Sequence, residues 1–481
     1  MKLRELLNGL TILSSSADLD ADIREVRYDS RAAETGDLFV AITGAETDGH
    51  KYIPMAREKG AACVVCQTVP EDGAPYVQVA DSRRALAVIG ANRFDHPADE
   101  LTMIGVTGTS GKTTSTYLIK SILEQKAGAR VGLIGTIQNM IGDRVLHTER
   151  TTPESYELQK LLREMADAGC SHVVMEASSH ALYLDRVYGI RYAVGVYTNL
   201  SRDHLDFHHT MEEYCDAKAI LFDNCDVGVY NADDPWHERL LQNARCPRRF
   251  SYAVHTQADL TAKNVQLHPG SVDFDAEADT EWAQVHVDTP ALFTVYNALD
   301  AMACCWNLGV PLAECADALA KSHGVKGRME IIPTPGKDYT ILNDYSHKPD
   351  ALENVLQSVK GFAKGRTVVL FGCGGDRDKT KRPVMGAIAA QLADFVIVTS
   401  DNPRTEKPEA IIADILEGMK DTATPYVTIP DRVEAIHYAM DHAQPGDVII
   451  LAGKGHEDYQ EINHKHYPMD ERVIVAAHLN K

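Results

Sequence analysis

Residues 108–114, with the sequence G-T-S-G-K-T-T, have the types and order of a loop that binds nucleotide phosphates. They follow an apolar run at residues 101–106 and open a stretch that favours a helix. Glycines let the backbone approach phosphate oxygens, and a helix N-terminus directs N–H groups at them. The lysine of such a loop reaches the terminal phosphate, and the next threonine binds Mg²⁺. We therefore predict an ATP site formed by Gly108, Thr109, Ser110, Gly111, Lys112, Thr113 and Thr114.

Polar side chains follow the next two strand-like runs of the chain. Glu176 directly follows the apolar residues 173–175, and the polar segment 198–206 follows the run at residues 193–197. Because α/β proteins bind ligands at the carboxyl ends of their strands, we interpret Glu176 as a Mg²⁺ ligand rather than a solvated acid. The neighbouring His208 and His209 suggest zinc, but no cysteine or second histidine pair lies at ligand spacing, so an oxygen-rich Mg²⁺ site is favoured.

Lys218 lies on the apolar face of a predicted helix. The helix begins at the capping box of residues 210–213, and Lys218 is seven residues after Met211 and four before Phe222 on that face. Burial would lower the pKa of its ammonium group and leave a neutral amine that can be chemically modified. The alternative is a snorkelling or ion-paired lysine, and the sequence leaves both open.

Three glycine-containing or charged segments near the C-terminus follow predicted strands: residues 372–378, 401–404 and 453–457. The first lacks the glycine spacing of a dinucleotide fingerprint, so we do not predict a Rossmann dinucleotide site there. Arginines bind carboxylates bidentately, and acidic or amide oxygens accept from an ammonium. Together the segments predict a site for a zwitterionic amino acid, formed by Arg377, Asp401, Asn402, Pro403, Arg404, Gly453 and Glu457.

The composition excludes several classes of partner. The 481-residue chain has 48 basic and 69 acidic residues and a formal net charge of −21, which disfavours binding to nucleic acid or to an anionic membrane surface. No apolar run approaches the ~18 residues that a membrane-spanning helix needs, so we expect a soluble cytoplasmic protein without membrane insertion. Cys63 and Cys66 have a redox or metal spacing but lie in a strand-like run, so we interpret them as reduced core thiols.

Alternating strand-like and helical segments predict an α/β fold, and the length favours about three domains. Breaks near residues 96–99 and 327–336 place these domains at 1–98, 99–328 and 329–481. The central strands alternate with helices, which is typical of a mostly parallel sheet, whereas residues 259–289 indicate an antiparallel insertion. One central helix is predicted to have Thr152 as N-cap, Pro153 at its first position and Gly169 past its end.

Seven motifs, taken in order, resemble the Mur ligase family over nearly the whole chain: G-T-S-G-K-T-T, M-E-A-S-S-H, T-N-L-S-R-D-H-L-D, G-R-M-E, D-Y-S-H-K-P-D, G-C-G-G-D-R-D and G-K-G-H-E. The resemblance implies an N-terminal UDP-muramoyl-binding domain, a central P-loop ATPase domain with a mostly parallel sheet, and a C-terminal Rossmann-like domain that binds an amino acid. It also implies ATP-dependent amide ligation in peptidoglycan synthesis. An acyl phosphate forms on the D-glutamate side chain of UDP-N-acetylmuramoyl-L-alanyl-D-glutamate, and meso-2,6-diaminopimelate attacks it.

The resemblance also implies roles for individual residues. Thr113 and Glu176 would hold one Mg²⁺, and His204 with a Lys218 carbamylated by CO₂ would hold or support a second; with Lys112 they form the implied catalytic set. Further ATP contacts are implied at Asn297, Arg328 and Asp344. Contacts to the UDP-muramoyl dipeptide are implied at Ser30, Ala45, Glu46, Thr47, Thr151, Thr152, Ser178 and Arg186. Leu184 stands where a relative carries glutamine.

The D-N-P-R sequence of residues 401–404 resembles the form found in family members that add meso-diaminopimelate. Arg404 and Arg377 would face its distal carboxylate, which lysine lacks, and would repel lysine's ammonium. The alternatives are ligation of L-lysine or another diamino acid, a different amide ligase of the superfamily, and a nucleotide-switched binding protein. We expect a monomer.

Overall fold

The computed structural model describes residues 1–44, 47–71, 73–322 and 324–480. The predicted α/β fold class is confirmed, with three main sheets that follow one another along the chain. The predicted domain boundaries, at residues 98/99 and 328/329, fall between these sheets and stay predictions. No helix in the described ranges is both long and apolar enough to cross a membrane.

The first unit contains a five-stranded sheet in the order β1-β5-β4-β3-β2, which is parallel except for β1. Its strands are β1 Ile12–Ser15, β2 Val26–Arg27, β3 Leu38–Val40, β4 Cys63–Cys66 and β5 Tyr76–Val79. Its helices are α1 Leu3–Leu6, α2 Ile53–Glu58 and α3 Ser82–Arg93. The thiols of Cys63 and Cys66 are free and buried in β4, as predicted.

The central unit contains an eleven-stranded sheet in the order β16-β15-β14-β13-β12-β11-β6-β10-β7-β8-β9. Its strands are β6 Thr102–Thr107, β7 Val131–Ile134, β8 Asn139–Ile141, β9 Arg144–Leu146, β10 His172–Glu176, β11 Tyr192–Tyr197, β12 Cys225–Asn231, β13 Arg248–Ala253, β14 Leu260–Leu267, β15 Val272–Ala278 and β16 Trp282–Val287. Its helices are α4 Lys112–Lys126, α5 Ser155–Asp167, α6 Ser179–Tyr183, α7 Leu205–His208, α8 Met211–Asp223, α9 His237–Asn243, α10 Leu292–Asn307 and α11 Leu312–Leu319.

The middle of the central sheet is parallel and both of its ends are antiparallel. Strands β6, β7 and β10 to β14 run parallel, while β14-β15-β16 and β7-β8-β9 form antiparallel ends. Helices α4, α10 and α11 cover one face and α5, α6, α8 and α9 cover the other, which explains why the parallel strands are apolar on both faces. The predicted parallel sheet and the antiparallel insertion at residues 259–289 are confirmed.

The start of α5 differs from the prediction. Glu154, not Thr152, is the N-cap, and its carboxylate accepts from the backbone N–H of Ser155 at 3.1 Å. The Thr152 hydroxyl instead binds the end of β10, where it donates to the carbonyl of Glu176 at 2.7 Å and accepts from the backbone N–H of Ser178 at 3.1 Å. A tertiary contact has therefore replaced the local one. Gly169 follows the end of the helix with φ 79°, as predicted.

The third unit contains a six-stranded sheet in the order β17-β18-β22-β19-β20-β21, parallel except for β17, and a separate hairpin of β23 and β24. Its strands are β17 Glu330–Ile332, β18 Thr340–Asp344, β19 Thr367–Phe371, β20 Phe395–Val398, β21 Tyr426–Thr428, β22 Val448–Ala452, β23 Tyr459–Ile462 and β24 Lys465–Pro468. Its helices are α12 Pro349–Lys360, α13 Lys381–Leu392, α14 Pro408–Glu417, α15 Arg432–Asp441 and α16 Glu471–Leu479.

Gly327 packs directly against the loop that follows β22. Its φ is 69°, and a Cβ at this position would collide with the backbone of Gly455 and His456. The entry to the third unit therefore needs glycine both for its left-handed backbone and for this close approach.

We predict that Gly327→Ala destabilises the protein more than Gly336→Ala. Both glycines have positive φ, at 69° and 75°, and this conformation costs a residue with a Cβ about 1–2 kcal/mol. Only Gly327 adds a steric clash, because nothing lies within 4 Å of a Cβ at Gly336. Chemical denaturation should show a larger loss of unfolding free energy for Gly327→Ala, and equal losses would contradict the packing described.

Candidate active site

The phosphate loop lies between β6 and α4, and two of its glycines are required by close neighbours. Gly108 has φ 150° and a Cβ there would collide with the hydroxyl of Thr198. Gly111 has φ 89° and precedes α4, and a Cβ there would lie 2.5 Å from the Asn297 side-chain oxygen. Asn297, predicted to contact ATP, is therefore beside the loop.

Hydrogen bonds hold the loop closed on its own lysine. The Thr198 hydroxyl donates to the carbonyl of Ser110 at 2.7 Å. Lys112 Nζ donates to the carbonyls of Gly108 and Thr109, both at 2.9 Å. Burial lowers the pKa of Lys112. The lysine of the loop is thus held inside it.

Glu176 and Thr113, which are predicted to hold one cation, are hydrogen-bonded to each other. Glu176 is buried at the carboxyl end of β10, and Thr113 at the start of α4 donates to its Oε1 at 2.9 Å. The backbone N–H and hydroxyl of Thr136 donate to Oε1 at 2.9 Å and to Oε2 at 3.0 Å. These oxygens form the kind of hard donor set that Mg²⁺ prefers.

Lys218 is buried in the central unit, with 1% of its surface exposed. Its Nζ donates to the carbonyl of Gly108 at 2.8 Å and lies 4.3 Å from the centroid of the Tyr214 ring. The residues described form no salt bridge with it, so it neither snorkels nor pairs with an acid. Burial, and then the ammonium of Lys112, lower the pKa of Lys218 well below its usual value. The predicted inward-facing lysine is therefore confirmed, and its environment favours the neutral amine.

His204 lies beside an ion pair that joins the central and third units. Its Nε2 is 3.2 Å from Asp203 Oδ2, to which Lys348 Nζ donates at 2.6 Å. Burial lowers the pKa of His204 to about 4. Burial raises the pKa of Asp203, but Lys348 and His204 outweigh it and lower the pKa overall. Asp203 and Lys348 belong to two of the motifs, but sequence reasoning assigned neither a role.

The histidines considered as zinc ligands, His208 and His209, do not belong to a metal-binding cluster among the described residues. His208 is buried, and its Nε2 lies 2.9 Å from the Ser179 hydroxyl. Across the described part of the chain, no three His, Cys, Asp or Glu side chains are grouped so as to hold a metal ion.

The other predicted ATP residues lie near the entry to the third unit. Asp344 is buried at the end of β18, where its Oδ2 accepts from the backbone N–H of Met329 at 2.8 Å, and burial raises its pKa. The Arg328 guanidinium lies 4.8 Å from the centroid of the Tyr345 ring. A small cavity beside α4 is lined by Thr114, Leu118, Phe293, Val325 and Arg328. Arg328 and Thr114, the last residue of the predicted ATP motif, therefore line the same cavity.

Several predicted substrate contacts cluster at the carboxyl end of β10. The Thr152 hydroxyl accepts from the backbone N–H of Ser178 at 3.1 Å, and Arg186 Nη1 donates to the carbonyl of Thr152 at 3.3 Å. The Thr151 hydroxyl lies 3.0 Å from that of Thr136, which also binds Glu176. The structure thus brings Thr151, Thr152, Ser178 and Arg186 next to the predicted metal ligand.

A buried carboxylate that was not predicted connects this cluster with the first unit. Glu154 Oε2 lies 3.3 Å from Arg186 Nε and 3.4 Å from Nη1 of Arg83, which comes from α3. Arg83 also donates to the carbonyl of Leu184 at 3.3 Å. Neither Glu154 nor Arg83 belongs to the quoted motifs, and only their short distance in the folded structure reveals the contact.

The remaining predicted dipeptide contacts belong to the first unit. The Ser30 hydroxyl is buried and lies 3.3 Å from Met55 Sδ, and the carbonyl of Thr47 accepts from Gly44 at 2.8 Å. Ala45 and Glu46 lie outside the described residues.

Both predicted carboxylate-binding arginines flank Gly374. A Cβ at Gly374 would lie 2.9 Å from Arg404 Nη1 and 3.7 Å from Arg377 Cγ. Arg404 Nη1 donates to the carbonyl of Gly375 at 2.9 Å, whereas Arg377 is exposed. The carbonyl of Pro403 packs so closely on Gly375 that a Cβ would collide with it.

A buried lysine that was not predicted lies among the predicted ammonium acceptors. Lys454 Nζ donates to Asn402 Oδ1 and Glu457 Oε2, both at 2.7 Å, and lies 3.7 Å from Asp401 Oδ1. Gly453 lies next to the other carboxylate oxygen of Asp401: a Cβ on Gly453 would be 3.2 Å from Asp401 Oδ2. Part of the acidic charge is thus already neutralised within the protein.

Three family models match successive parts of the chain. "Mur ligase family, catalytic domain" matches residues 22–94, "Mur ligase middle domain" matches 106–305, and "Mur ligase, glutamate ligase domain" matches 327–455. Their order agrees with the order of the three sheets.

Curated relatives match almost the full length. The chain is 45% identical over 460 residues, 94% of both chains, to the "UDP-N-acetylmuramoyl-L-alanyl-D-glutamate--2,6-diaminopimelate ligase" of Clostridium botulinum. The chain belongs to the Mur ligase family. The Clostridium tetani protein of the same name is 46% identical to this Mur ligase over 482 residues, 99% of this chain and 98% of the relative. A solved structure with that name shares 33% identity and a TM-score of 0.73, covering 100% and 99% of the two chains.

Family membership confirms the resemblance inferred from the motifs. This Mur ligase is an enzyme that uses ATP to form an amide bond. The phosphate loop, Glu176 and Lys218 are all in its middle family domain.

We predict that His456→Gln makes the stability of this Mur ligase less sensitive to acid. Burial, and then nearby cations such as Arg328, lower the pKa of His456 to about 4, against a usual 6.5. Because the unfolded chain binds the proton more readily, the stabilising effect of the neutral ring is complete above pH 6.5 and is lost as pH falls through 4.

Thermal unfolding of the wild type and His456→Gln between pH 7 and about 4 tests this prediction. The variant's melting temperature should decline less steeply. His147→Gln, which changes an exposed histidine, is the matched control and should follow the wild type. Parallel curves for all three proteins would contradict the prediction.

Proposed function

We propose that this Mur ligase adds meso-2,6-diaminopimelate to the D-glutamate side-chain carboxylate of UDP-N-acetylmuramoyl-L-alanyl-D-glutamate in peptidoglycan synthesis, and that it acts as a cytoplasmic monomer. The names of the Clostridium botulinum and Clostridium tetani relatives, at 45% and 46% identity, support the proposed substrates. The observation that carries the choice of amino acid is that Arg404 and Arg377 flank Gly374 at the D-N-P-R loop.

The two arginines favour an amino acid with a distal carboxylate. Guanidinium groups bind carboxylates with two charge-assisted hydrogen bonds, and diaminopimelate has a carboxylate at both ends. Lysine would bring an ammonium instead, which the arginines repel. Lys454 contacts Glu457 through Oε2 and lies nearer to Oδ1 of Asp401. The other carboxylate oxygens, Oε1 of Glu457 and Oδ2 of Asp401, would accept from the distal ammonium of diaminopimelate.

The carboxyl end of β10 suits the acceptor carboxylate. Arg186, Thr152 and Ser178 lie together there, beside Glu176 and the phosphate loop. We propose that they hold the UDP-muramoyl dipeptide together with Ser30, Ala45, Glu46, Thr47 and Thr151. An acceptor held by this cluster is close to the terminal phosphate of an ATP bound at the loop.

The oxygens of Thr113 and Glu176 fit one Mg²⁺ ion, because they lie within 2.9 Å of each other. We propose that these residues hold it, and that His204 and a carbamylated Lys218 hold or support a second. CO₂ adds only to a neutral amine, which the buried environment of Lys218 favours. Bound Mg²⁺ would offset negative charge on the transferred phosphoryl group.

The proposed reaction has two steps. The γ-phosphoryl group of ATP passes to an oxygen of the glutamyl carboxylate, which gives an acyl phosphate and ADP. An amine of diaminopimelate then attacks the acyl carbon, phosphate leaves, and the amine loses a proton. Lys112, held within the loop, would stabilise charge on the phosphoryl oxygens, while Asn297, Arg328 and Asp344 would contact the rest of the nucleotide. The Lys348–Asp203 ion pair joins the third unit to the central one, and we propose that closure of these units brings the amine to the acyl phosphate.

The decisive measurement is phosphate release from ATP, with Mg²⁺ and UDP-N-acetylmuramoyl-L-alanyl-D-glutamate, comparing meso-diaminopimelate with L-lysine. We expect diaminopimelate to support release at least about tenfold better, the effect of roughly 1.4 kcal/mol. A preference for lysine would overturn the choice of amino acid. Release that is independent of any amino acid would favour a nucleotide-switched protein instead.

The variant Arg404→Ala tests whether this arginine binds diaminopimelate. Loss of a hydrogen bond between charged groups costs about 2 kcal/mol, so KM for diaminopimelate should rise roughly thirtyfold. KM for ATP should stay unchanged, because Arg404 is not among the residues that we propose to contact the nucleotide. Unchanged kinetics with diaminopimelate would refute the role of this arginine.

We further predict that Lys218→Ala lowers activity by roughly a hundredfold or more, because a charged group at the site of phosphoryl transfer is lost. A short carboxylic acid added to the assay should restore part of the activity by replacing the carbamate. Lys360→Ala, which removes an exposed lysine of α12, is the control and should stay fully active. Full activity of Lys218→Ala without any added acid would exclude the carbamate.

A further inference from the structure

The hairpin of β23 and β24 contacts the D-N-P-R loop through Gln460, Glu461 and Asn463, and Glu461 makes three of these contacts. Its side-chain Oε2 forms an ion pair with Arg404 Nε at 2.8 Å. Its backbone N–H donates to Asn402 Oδ1 at 2.8 Å, and its carbonyl accepts from the backbone N–H of Arg404 at 3.1 Å. The hairpin is thus attached to the two central side chains of the predicted amino-acid site.

Arg404 has an unusual backbone that these contacts support. Its φ is 50°, in the left-handed region that residues with a Cβ rarely adopt. The carbonyl of Glu461 binds its N–H, and its own carbonyl accepts from Asn463 at 2.9 Å. Since Glu461 and Asn463 both belong to the hairpin, the hairpin helps to maintain the backbone conformation that directs this arginine.

The guanidinium of Arg404 is held at two of its three nitrogens. Glu461 binds Nε and the carbonyl of Gly375 binds Nη1. Arg404 and Glu461 are both largely buried, with 17% and 19% of their side chains exposed, so solvent screens the ion pair only partly. An arginine that is already oriented loses less side-chain entropy when it binds a carboxylate.

We propose that Glu461 is a positioning residue that determines amino-acid specificity, because it orients Arg404 toward the distal carboxylate of the incoming amino acid. This inference rests on the proposed function. Without the Glu461 carboxylate, the guanidinium loses its Nε partner and can turn away from Gly374. Binding of diaminopimelate would weaken, while lysine, which has no distal carboxylate, would lose nothing.

The test is the kinetics of Glu461→Ala with diaminopimelate and with L-lysine, with ATP and the UDP-muramoyl dipeptide saturating. KM for diaminopimelate should rise about tenfold, the effect of losing a partner to a charged group, while kcat and KM for ATP stay near wild type. The preference for diaminopimelate over lysine should fall by a similar factor. Glu461→Gln keeps a side-chain oxygen acceptor for Nε and should recover most of the wild-type KM.

A double-mutant cycle with Arg404→Ala shows whether Glu461 acts through the arginine. Once Arg404 is absent, Glu461→Ala should change KM less than about twofold, because coupled residues are not additive. Glu409→Ala removes an exposed carboxylate from α14 and should leave all constants unchanged.

The outcomes separate this inference from the proposed function. A wild-type enzyme that takes lysine overturns both. A wild-type enzyme that takes diaminopimelate, with an unchanged Glu461→Ala, overturns the role of Glu461 alone. So does a variant that loses kcat without a change in KM, or a tenfold effect that persists in the Arg404→Ala background. If Glu461→Ala does not fold, Glu461→Gln replaces it in the test. A KM for diaminopimelate that rises in Glu461→Gln as far as in Arg404→Ala also overturns the role of Glu461.

Discussion

One carbonyl oxygen, that of Gly108, accepts hydrogen bonds from two buried lysines, Lys112 at 2.9 Å and Lys218 at 2.8 Å. Two ammonium groups on one oxygen repel each other, and burial adds to the cost of charging either. The pKa of Lys218 is lowered by both causes. The proposed chemistry of the centre depends on this arrangement, because in it Lys112 would contact the phosphates while Lys218 would serve as the reactive amine.

The three units are joined by polar contacts that lie next to the site. Arg83 of the first unit contacts Glu154 of the central one, which also holds Arg186. Lys348 of the third unit contacts Asp203 of the central one. A change in how the units pack therefore changes the positions of groups that we propose to contact substrates. The proposed ligation needs such a link, since the amine and the acyl phosphate would be held by different units.

Much of the site could be predicted because local signals specify it. Strands β6, β10 and β20 are apolar runs that lead into polar residues, and the parallel strands of a sheet end at a common edge. The helical period alone placed Lys218 on a buried face. The start of α5 was wrong because the hydroxyl of Thr152 binds the carbonyl of Glu176, 24 residues away. Capping rules describe local competition and contain no information on that partner.

The sequence by itself determined the phosphate loop, the α/β class, the order of the units and the residue types at each strand end, because these depend on neighbours in the chain. Only the tertiary structure decided which charges are paired. Lys348 and Asp203 are 145 residues apart, and Glu461 meets Arg404 through a hairpin whose Ile462 forms a parallel β-bridge with Arg404. Lys454 is buried among acids that the sequence presented as free. A charged side chain acquires its partner only when folding removes both groups from water. The partner then sets the pKa and the orientation of that side chain.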